Sequence, residues 1–220
     1  MAISIKPRKT DSNLFCCSKW WGNPDLPPQA EYPLMKVTEE DGSETEYPLT
    51  FICQIDCADI APFDKEGLLP HEGMLYFFAA IDDYIGYESP EHFGLGKWPK
   101  KAVKVKYVKQ INMETFNSCI LVDDEENELA EPEMAIDFCE CGDECDGIKL
   151  LGRPYFEEVR EEVREEVREQ FPDSVSLLQL DEDDELEMRF YDCGNLNILL
   201  SESDLKFGNW SHAFGFLHSM

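Results

Sequence analysis

The sequence predicts an α+β, mainly β fold, in which two intertwined, pseudo-symmetric β repeats share one core and one surface helix lies near residues 155–170. Three observations point there. Strand-length apolar runs bounded by Gly, Pro, Asn and Asp recur along the chain, as at TFICQID (Thr50 to Asp56) and SLLQLD (Ser176 to Asp181). Short motifs from the first half return in the second half in the same order. Only YFEEVREEVREEVREQF sustains a helical period.

Taken in order, the segment WWGNPDLPPQAEYP reads as loop with extended pieces, because it holds four prolines and a glycine. Two strands follow, over Leu34–Thr38 and residues 47–55, joined by a hairpin whose signal is Asp41-Gly42. CADIAPF has the length of one helical turn before Pro62. GMLYFFAAID is a continuous apolar run, as expected of a strand covered on both faces. Residues 82–100 lack periodicity and read as a long surface loop. KWPKKAVKVKYVK (Lys97 to Lys109) carries six lysines and no acid. Its alternation gives a strand with one wet face, where lysines deter edge-to-edge pairing. DDEENELAEPE reads as acidic loop, and EMAIDFCE as a strand.

In the helix, Gly152 and Pro154 stand at the start and Pro172 at the end. Val159, Val163 and Val167 form a narrow apolar row, and Glu–Arg pairs three residues apart add a few tenths of a kcal/mol each, about 0.2–0.5. SLLQL, ELEMRFYD and GNLNILL read as strands. SESDL opens a short helix capped by Ser201 or Ser203, and HAFGFLHS returns to the core.

The repeated motifs are two bulky residues with Gly-x-Pro, then apolar-Gln-apolar-Asp, then Gly before an apolar strand. They occur at Trp20-Trp21-Gly22-Asn23-Pro24, Cys53-Gln54-Ile55-Asp56 and Gly73 to Phe78. They recur at Leu150-Leu151-Gly152-Arg153-Pro154, Leu178-Gln179-Leu180-Asp181 and Gly194 to Leu199. The intervals agree, 32 and 27 residues from Gly to Gln and 19 and 15 from Gln to Gly. This arrangement gives repeat one at about residues 18–80 and repeat two at about 148–200, in a single domain over 1–220. A unit that small buries too little surface alone, so the two should share a core.

SKWWGNPDLP, PLTFICQID, LPHEGMLYFF, KLLGRP, SLLQLD and YDCGNLNILLSESDL resemble the YwqG-like family of bacterial proteins, from about Ser18 to the C-terminus. The resemblance implies a mainly β fold of two intertwined repeats and supplies no established activity. Some members occur in toxin–immunity gene neighbourhoods, which points to an immunity-type binding role. The chain departs from the family pattern at Trp21, where Gly is usual, at Phe190, where Trp is common, and at Ile148, where His is common.

Composition bounds the function. The chain has 220 residues, is 43% hydrophobic and 12% aromatic, and so can bury a core. MAISIKPRKT lacks the apolar stretch of a signal peptide, and no run of about 18 apolar residues exists. With nine cysteines at irregular spacing, reduced thiols in the cytoplasm are expected. The net charge of −28 disfavours nucleic acid and anionic membranes as partners and suits a basic protein. Residues 123–188 hold 26 acidic and 5 basic side chains.

The candidate binding residues are Gln54, Asp56, Gln179, Asp181 and Asp192, which would line a groove between the repeats. The bland alternative is that each Gln satisfies loop backbone. Cys139, Cys141 and Cys145 form C-x-C-x₃-C, the one candidate zinc cluster. It needs a fourth ligand such as Cys119 or Cys193, and a reduced turn is the simpler reading. No other cofactor is expected. His71, His92, His212 and His218 lack partners of nucleophile or zincin type, and Gly94-Leu-Gly96-Lys97 is too short for a P-loop. The expected role is therefore a non-enzymatic protein-binding module, with an enzyme of unknown chemistry in the inter-repeat groove as the alternative.

Overall fold

The structure, a computed structural model, describes residues 1–39, 41–81, 93–123, 125–154, 173–191 and 193–219. The expected helix near 155–170, His92 and the candidate Asp192 lie outside the described residues. In the first half the strands are β1 (Ala2–Lys9), β2 (Lys19–Trp20), β3 (Asp25–Leu26), β4 (Leu34–Thr38), β5 (Glu44–Pro48), β6 (Thr50–Asp56), β7 (Met74–Ala79), β8 (Gly96–Lys97) and β9 (Val103–Val108). The second half supplies β10 (Asn117–Ser118), β11 (Met134–Cys141), β12 (Lys149–Leu150), β13 (Ser174–Asp181), β14 (Asn195–Ser201) and β15 (Phe214–His218). Two short helices are described, α1 (Cys57–Ile60) and α2 (Glu202–Phe207). The fold is α+β and mainly β.

Eleven strands form one sheet in the order β8-β15-β14-β13-β12-β1-β11-β2-β6-β7-β9. The order is nearly palindromic, and the register shows why. In β2, Trp20 pairs with Met134 of β11 and with Cys53 of β6. In β12, Leu150 pairs with Ile3 of β1 and with Leu178 of β13. The strand that opens the first half thus serves the second, and β11 serves the first. The two exchanged strands run antiparallel to each other from Ala2↔Cys141 to Lys9↔Met134. A swap of this kind explains how two small units share one core, since neither sheet half is complete without a strand from the other.

Finer details repeat as well. The β6–β7 register slips between Phe51 and Cys53, and the β13–β14 register slips between Ser176 and Leu178. The carbonyl at each slip accepts a backbone N–H, Trp21 N to Ile52 O at 2.9 Å and Leu151 N to Leu177 O at 3.5 Å. Trp21 and Leu151 both have left-handed backbone, with φ of 55° and 62°. Each bulge therefore anchors the turn that leaves the short strand beside it.

β7 is buried along its whole length, and β14 along all but its last residue. Such two-sided burial accounts for the unbroken apolar sequence of β7; in β14 it also takes in Asn195 and Asn197, whose side chains bond each other. Phe77, Ile55, Leu178 and Ile198 belong to one core cluster, and each large side chain there contributes about 1.5–3 kcal/mol. The two ends of the sheet are joined by residues 96–108. β8 pairs with β15, Trp98 N donates to Gly215 O at 2.8 Å, and β9 pairs with β7. On β9, Val103 and Val105 are buried and Lys104 is exposed, as its alternation predicts.

Several expectations change. Residues 47–55 are two strands, because Leu49 N turns aside to bond Pro33 O at 3.0 Å. ELEMRFYD buries Leu186, Met188 and Phe190 alternately but forms no strand. Asp183 Oδ1 accepts from Glu185 N and Leu186 N and curls the chain into a turn closed by the Asp183–Met188 bridge. β2 and β12 lie in stretches without a strand signal, and β1 is a strand that was not expected, although Ile3 and Ile5 alternate with polar neighbours there. α2 is capped by Ser201, whose Oγ accepts from Asp204 N.

Gly73 and Gly194 mark equivalent tight approaches. A Cβ on Gly73 would lie 2.3 Å from Val108 O, and one on Gly194 would lie 2.6 Å from His218 O and 2.0 Å from Phe190 O. Both substitutions to alanine should destabilise the protein by about 2 kcal/mol or more. Gly42→Ala, with open space around it and a φ of 83°, should cost only about 1 kcal/mol. Urea unfolding midpoints check this order; equal losses at all three positions would refute it.

Candidate functional site

The two Gln-x-Asp motifs occupy equivalent places, each beside a buried lysine. Gln54 lies opposite Lys19 on β2 and Tyr76 on β7. Gln179 lies opposite Lys149 on β12 and Asn197 on β14. Both glutamines and both lysines are 0–2% exposed. The lysines escaped the sequence reading, although each stands directly before a matched motif, Lys19-Trp-Trp-Gly and Lys149-Leu-Leu-Gly. Extending the repeat by one residue would have found them.

In the first half the lysine is neutralised by carboxylates. Lys19 Nζ is 2.9 Å from Asp25 Oδ2 and 3.3 Å from Glu133 Oε2. The same Asp25 oxygen accepts from Cys16 N at 2.8 Å and Gln54 Nε2 at 2.7 Å, and Oδ1 accepts from Ser118 Oγ at 2.6 Å. Gln54 also donates to Cys17 O and accepts from Asp25 N, both at 2.9 Å. Tyr76 donates its hydroxyl to Asp25 O at 2.6 Å. Desolvating two such ions costs several kcal/mol each, which only a network this complete offsets. Burial, with Asp25 nearby, pushes the Cys16 thiol up to about 11. These bonds tie loop to sheet around buried Lys19, Asp25 and Gln54, while Ser118 and Glu133 reach the surface, so the network fixes the positions of the residues around it.

The second half keeps the lysine and changes its partners. Lys149 Nζ donates to Asp143 O at 3.1 Å and Cys145 O at 2.7 Å. A Cβ on Gly22 would lie 2.7 Å from Glu133 Cβ, and one on Gly152 would lie 2.9 Å from Ala2 Cβ. Ala2 thus stands where Glu133 stands in the first half. With carbonyls as its nearest acceptors, burial pushes Lys149 down to about 8, against the pull of Asp143. Gln179 Nε2 donates to Gly147 O at 2.8 Å, and Asp181 Oδ2 accepts from Gly147 N at 2.8 Å. Burial pushes the Asp181 carboxyl above its usual range. Asp56 caps α1 by accepting from Ala58 N, its own N–H bonds Ser18 Oγ, and burial raises its carboxyl too.

The expectation of wholly reduced thiols gives way at one place. Cys141 and Cys145 form a disulfide that closes the loop carrying the Lys149 acceptors, while Cys139 is exposed and not disulfide-bonded. Two of the three candidate zinc ligands are thereby bonded to each other. Among the described residues no three His, Cys, Asp or Glu side chains are grouped to hold a metal.

The open feature lies above the first network. A cleft of about 710 Å³ is bounded by residues 9–10, 21–24, 48–51, 129–134 and 185–188, with Cys119 and Leu121 beside them, and Lys9 is exposed on its rim. Gly22 N donates to Glu131 O at 2.9 Å and Cys119 N to Pro24 O at 2.8 Å, so the turn pinned by Asp25 carries the wall at 119–131. Glu133, held by Lys19 and by Leu14 N at 3.1 Å, continues that wall. Trp21, Tyr32, Phe51 and Met188 supply apolar lining. Tyr32 donates to Leu49 O at 2.7 Å, and burial raises its phenol well above the usual range. Glu131, Glu185 and Glu187 are exposed on the lining. The acidic loop is ordered around Asp123, whose Oδ1 accepts from Glu125 N and Asn127 N; bonds from Asn127 hold its carboxyl below the usual range. None of Gln54, Asp56, Gln179 or Asp181 lines the cleft.

Residues 18–217 match a family described as a domain of unknown function (DUF1963). The chain belongs to the DUF1963 family. The match takes in both lysine–glutamine brackets and nearly all of the cleft. No curated protein matches the sequence.

The two lysines should respond differently to replacement. Lys19→Met strands the Asp25 carboxylate and should cost about 3–5 kcal/mol in urea unfolding at pH 7. Lys149→Met removes a cation whose burial is penalised and should cost clearly less. Because Lys149 titrates at about 8 in the fold and at about 10.4 unfolded, its penalty is complete below pH 8. The unfolded state binds the extra proton between those values, so stability rises with pH there. Wild type should gain on Lys149→Met from pH 8 to 10; a pH-independent gap would contradict the assignment.

Proposed function

We propose that this DUF1963 protein is a non-enzymatic binding module that captures a basic protein partner on the acidic wall of the cleft. The observation that carries the reading is that Glu131, Glu185 and Glu187 line an apolar cleft and that their carboxylates make no hydrogen bond or ion pair among the described residues. With a net charge of −28, and with Lys9 the one cation among the described residues of the lining, they leave a net negative field that steers and orients a cationic partner. The resemblance to YwqG-like proteins supports an immunity-type role of this kind. A cytoplasmic setting suits it as well. Seven described cysteines are outside disulfides, and among the described residues no helix is long and apolar enough to cross a membrane.

Affinity capture tests the reading, with wild type and the Glu131→Gln/Glu185→Gln/Glu187→Gln variant as baits at low and high salt. One basic protein should be held stoichiometrically by wild type at low salt, weakened by high salt and lost from the variant. Capture indifferent to both salt and the three substitutions would refute charge-driven binding.

A further inference from the structure

The cleft also says what part of a partner would enter it. Its inner surface is apolar and partly aromatic, with Trp21, Phe51 and Met134 buried in its lining and Leu129 55% exposed there. Its second wall alternates, Leu186 and Met188 buried and Glu185 and Glu187 exposed. Carboxylates alone would hold any cation in its hydration shell. An apolar surface beside them rewards a ligand that buries hydrocarbon while its charge stays within reach of the glutamates. A volume of about 710 Å³ lies in the range of formed ligand pockets, about 300–1,000 Å³.

We propose that the cleft receives a short protein segment in which basic and apolar residues alternate, the apolar side chains entering between residues 119–134 and the 185–188 turn and the basic ones meeting Glu131, Glu185 and Glu187. This inference rests on the binding role proposed above and adds the chemistry of the bound segment. In an extended chain successive side chains point to opposite sides, so one strand presents both sets at once. Polyanions are repelled by the same glutamates, which removes nucleic acid and anionic lipid as occupants. The walls come from distant parts of the sequence and meet only in the fold, so an unfolded chain would show charge attraction without the apolar preference.

The test uses the full chain and three labelled probes, an alternating Arg-Leu hexapeptide, a hexa-arginine peptide and an alternating Glu-Leu hexapeptide, in fluorescence anisotropy at about 0.15 M salt. The Arg-Leu peptide should bind at least about tenfold more tightly than hexa-arginine, and the Glu-Leu peptide should not bind. Leu129→Arg, at an exposed position that folding tolerates, should weaken the Arg-Leu peptide by about tenfold or more. Phe207→Arg, 73% exposed on α2 and outside the cleft lining, should leave it unchanged. Equal binding of the two cationic peptides, or wild-type affinity in Leu129→Arg, would overturn the inference. Displacement of the peptide by equimolar spermine would overturn it in favour of a polyamine site. If lysate capture of a basic protein persists in Leu129→Arg, the cleft assignment fails and the binding role stands. A blank capture by folded bait removes both.

Discussion

A buried lysine beside a buried glutamine, on neighbouring short and long strands, is the constraint around which each half of this sheet is arranged. Lys19 and Lys149, each on a two-residue strand, sit directly opposite Gln54 and Gln179 on the adjacent long strands. A strand so short contributes little ladder energy. Its position is secured by what the lysine and glutamine reach, which is loop backbone on either side. Cys17 and Asp25 are tied in by Gln54, and Gly147, Cys145 and Asp143 by Gln179 and Lys149. Each neighbouring bulge then accepts the N–H of a left-handed residue, Trp21 or Leu151. Polar groups in the core therefore specify register where apolar packing alone would allow the short strand to slide.

That constraint explains which parts of the fold were legible in the sequence. β7 announces itself as an apolar run, because two-sided burial disfavours polar side chains, and β14 does so from Ile198 to Leu200. The Gln-x-Asp motifs and the glycines at 73 and 194 were legible as repeats, because close backbone approach and buried polarity admit few residue types. β2 and β12 were hidden, since two residues carry no period. β1 was hidden differently. Its alternation of Ile3 and Ile5 with polar neighbours is present in MAISIKPRKT, yet its partners lie more than a hundred residues away in β11 and β12. ELEMRFYD shows the reverse error. Its period-two burial is correct, but the Asp183 turn leaves its backbone no ladder partner, so the pattern describes exposure without describing a strand.

The candidate site was less legible than the fold for a related reason. Gln54 and Gln179 were visible because they repeat, and in the fold both are buried and bonded to loop backbone. The acidic walls of the cleft are built by residues that do not match between halves, although residues 21–24 on its boundary belong to a repeated motif. Glu133 faces Gly22 where Ala2 faces Gly152. Asp25 follows Pro24, whereas Tyr155 follows Pro154. No self-comparison of the sequence could pick out Glu131, Glu185 or Glu187, because their significance depends on two loops meeting in space.

The division between matched and unmatched residues has a physical basis. Exchange of β1 and β11 makes each half depend on the other, so substitutions in the shared core are felt by both and the core stays matched. The charge on the two lysines is not shared in this way. Lys19 is part of an ion network with two carboxylates, and one of them, Glu133, reaches the surface as cleft lining. Lys149 kept only carbonyls as its nearest acceptors and sits at a depressed pKa beneath a loop clipped by Cys141 and Cys145. The electrostatic difference begins one residue from the strand ends, yet it determines which half presents a negatively charged opening. Among the described residues, a near-symmetric scaffold with an ion network on one side only is thus sufficient to set the acidic cleft, and with it the proposed binding surface, on that side of the molecule.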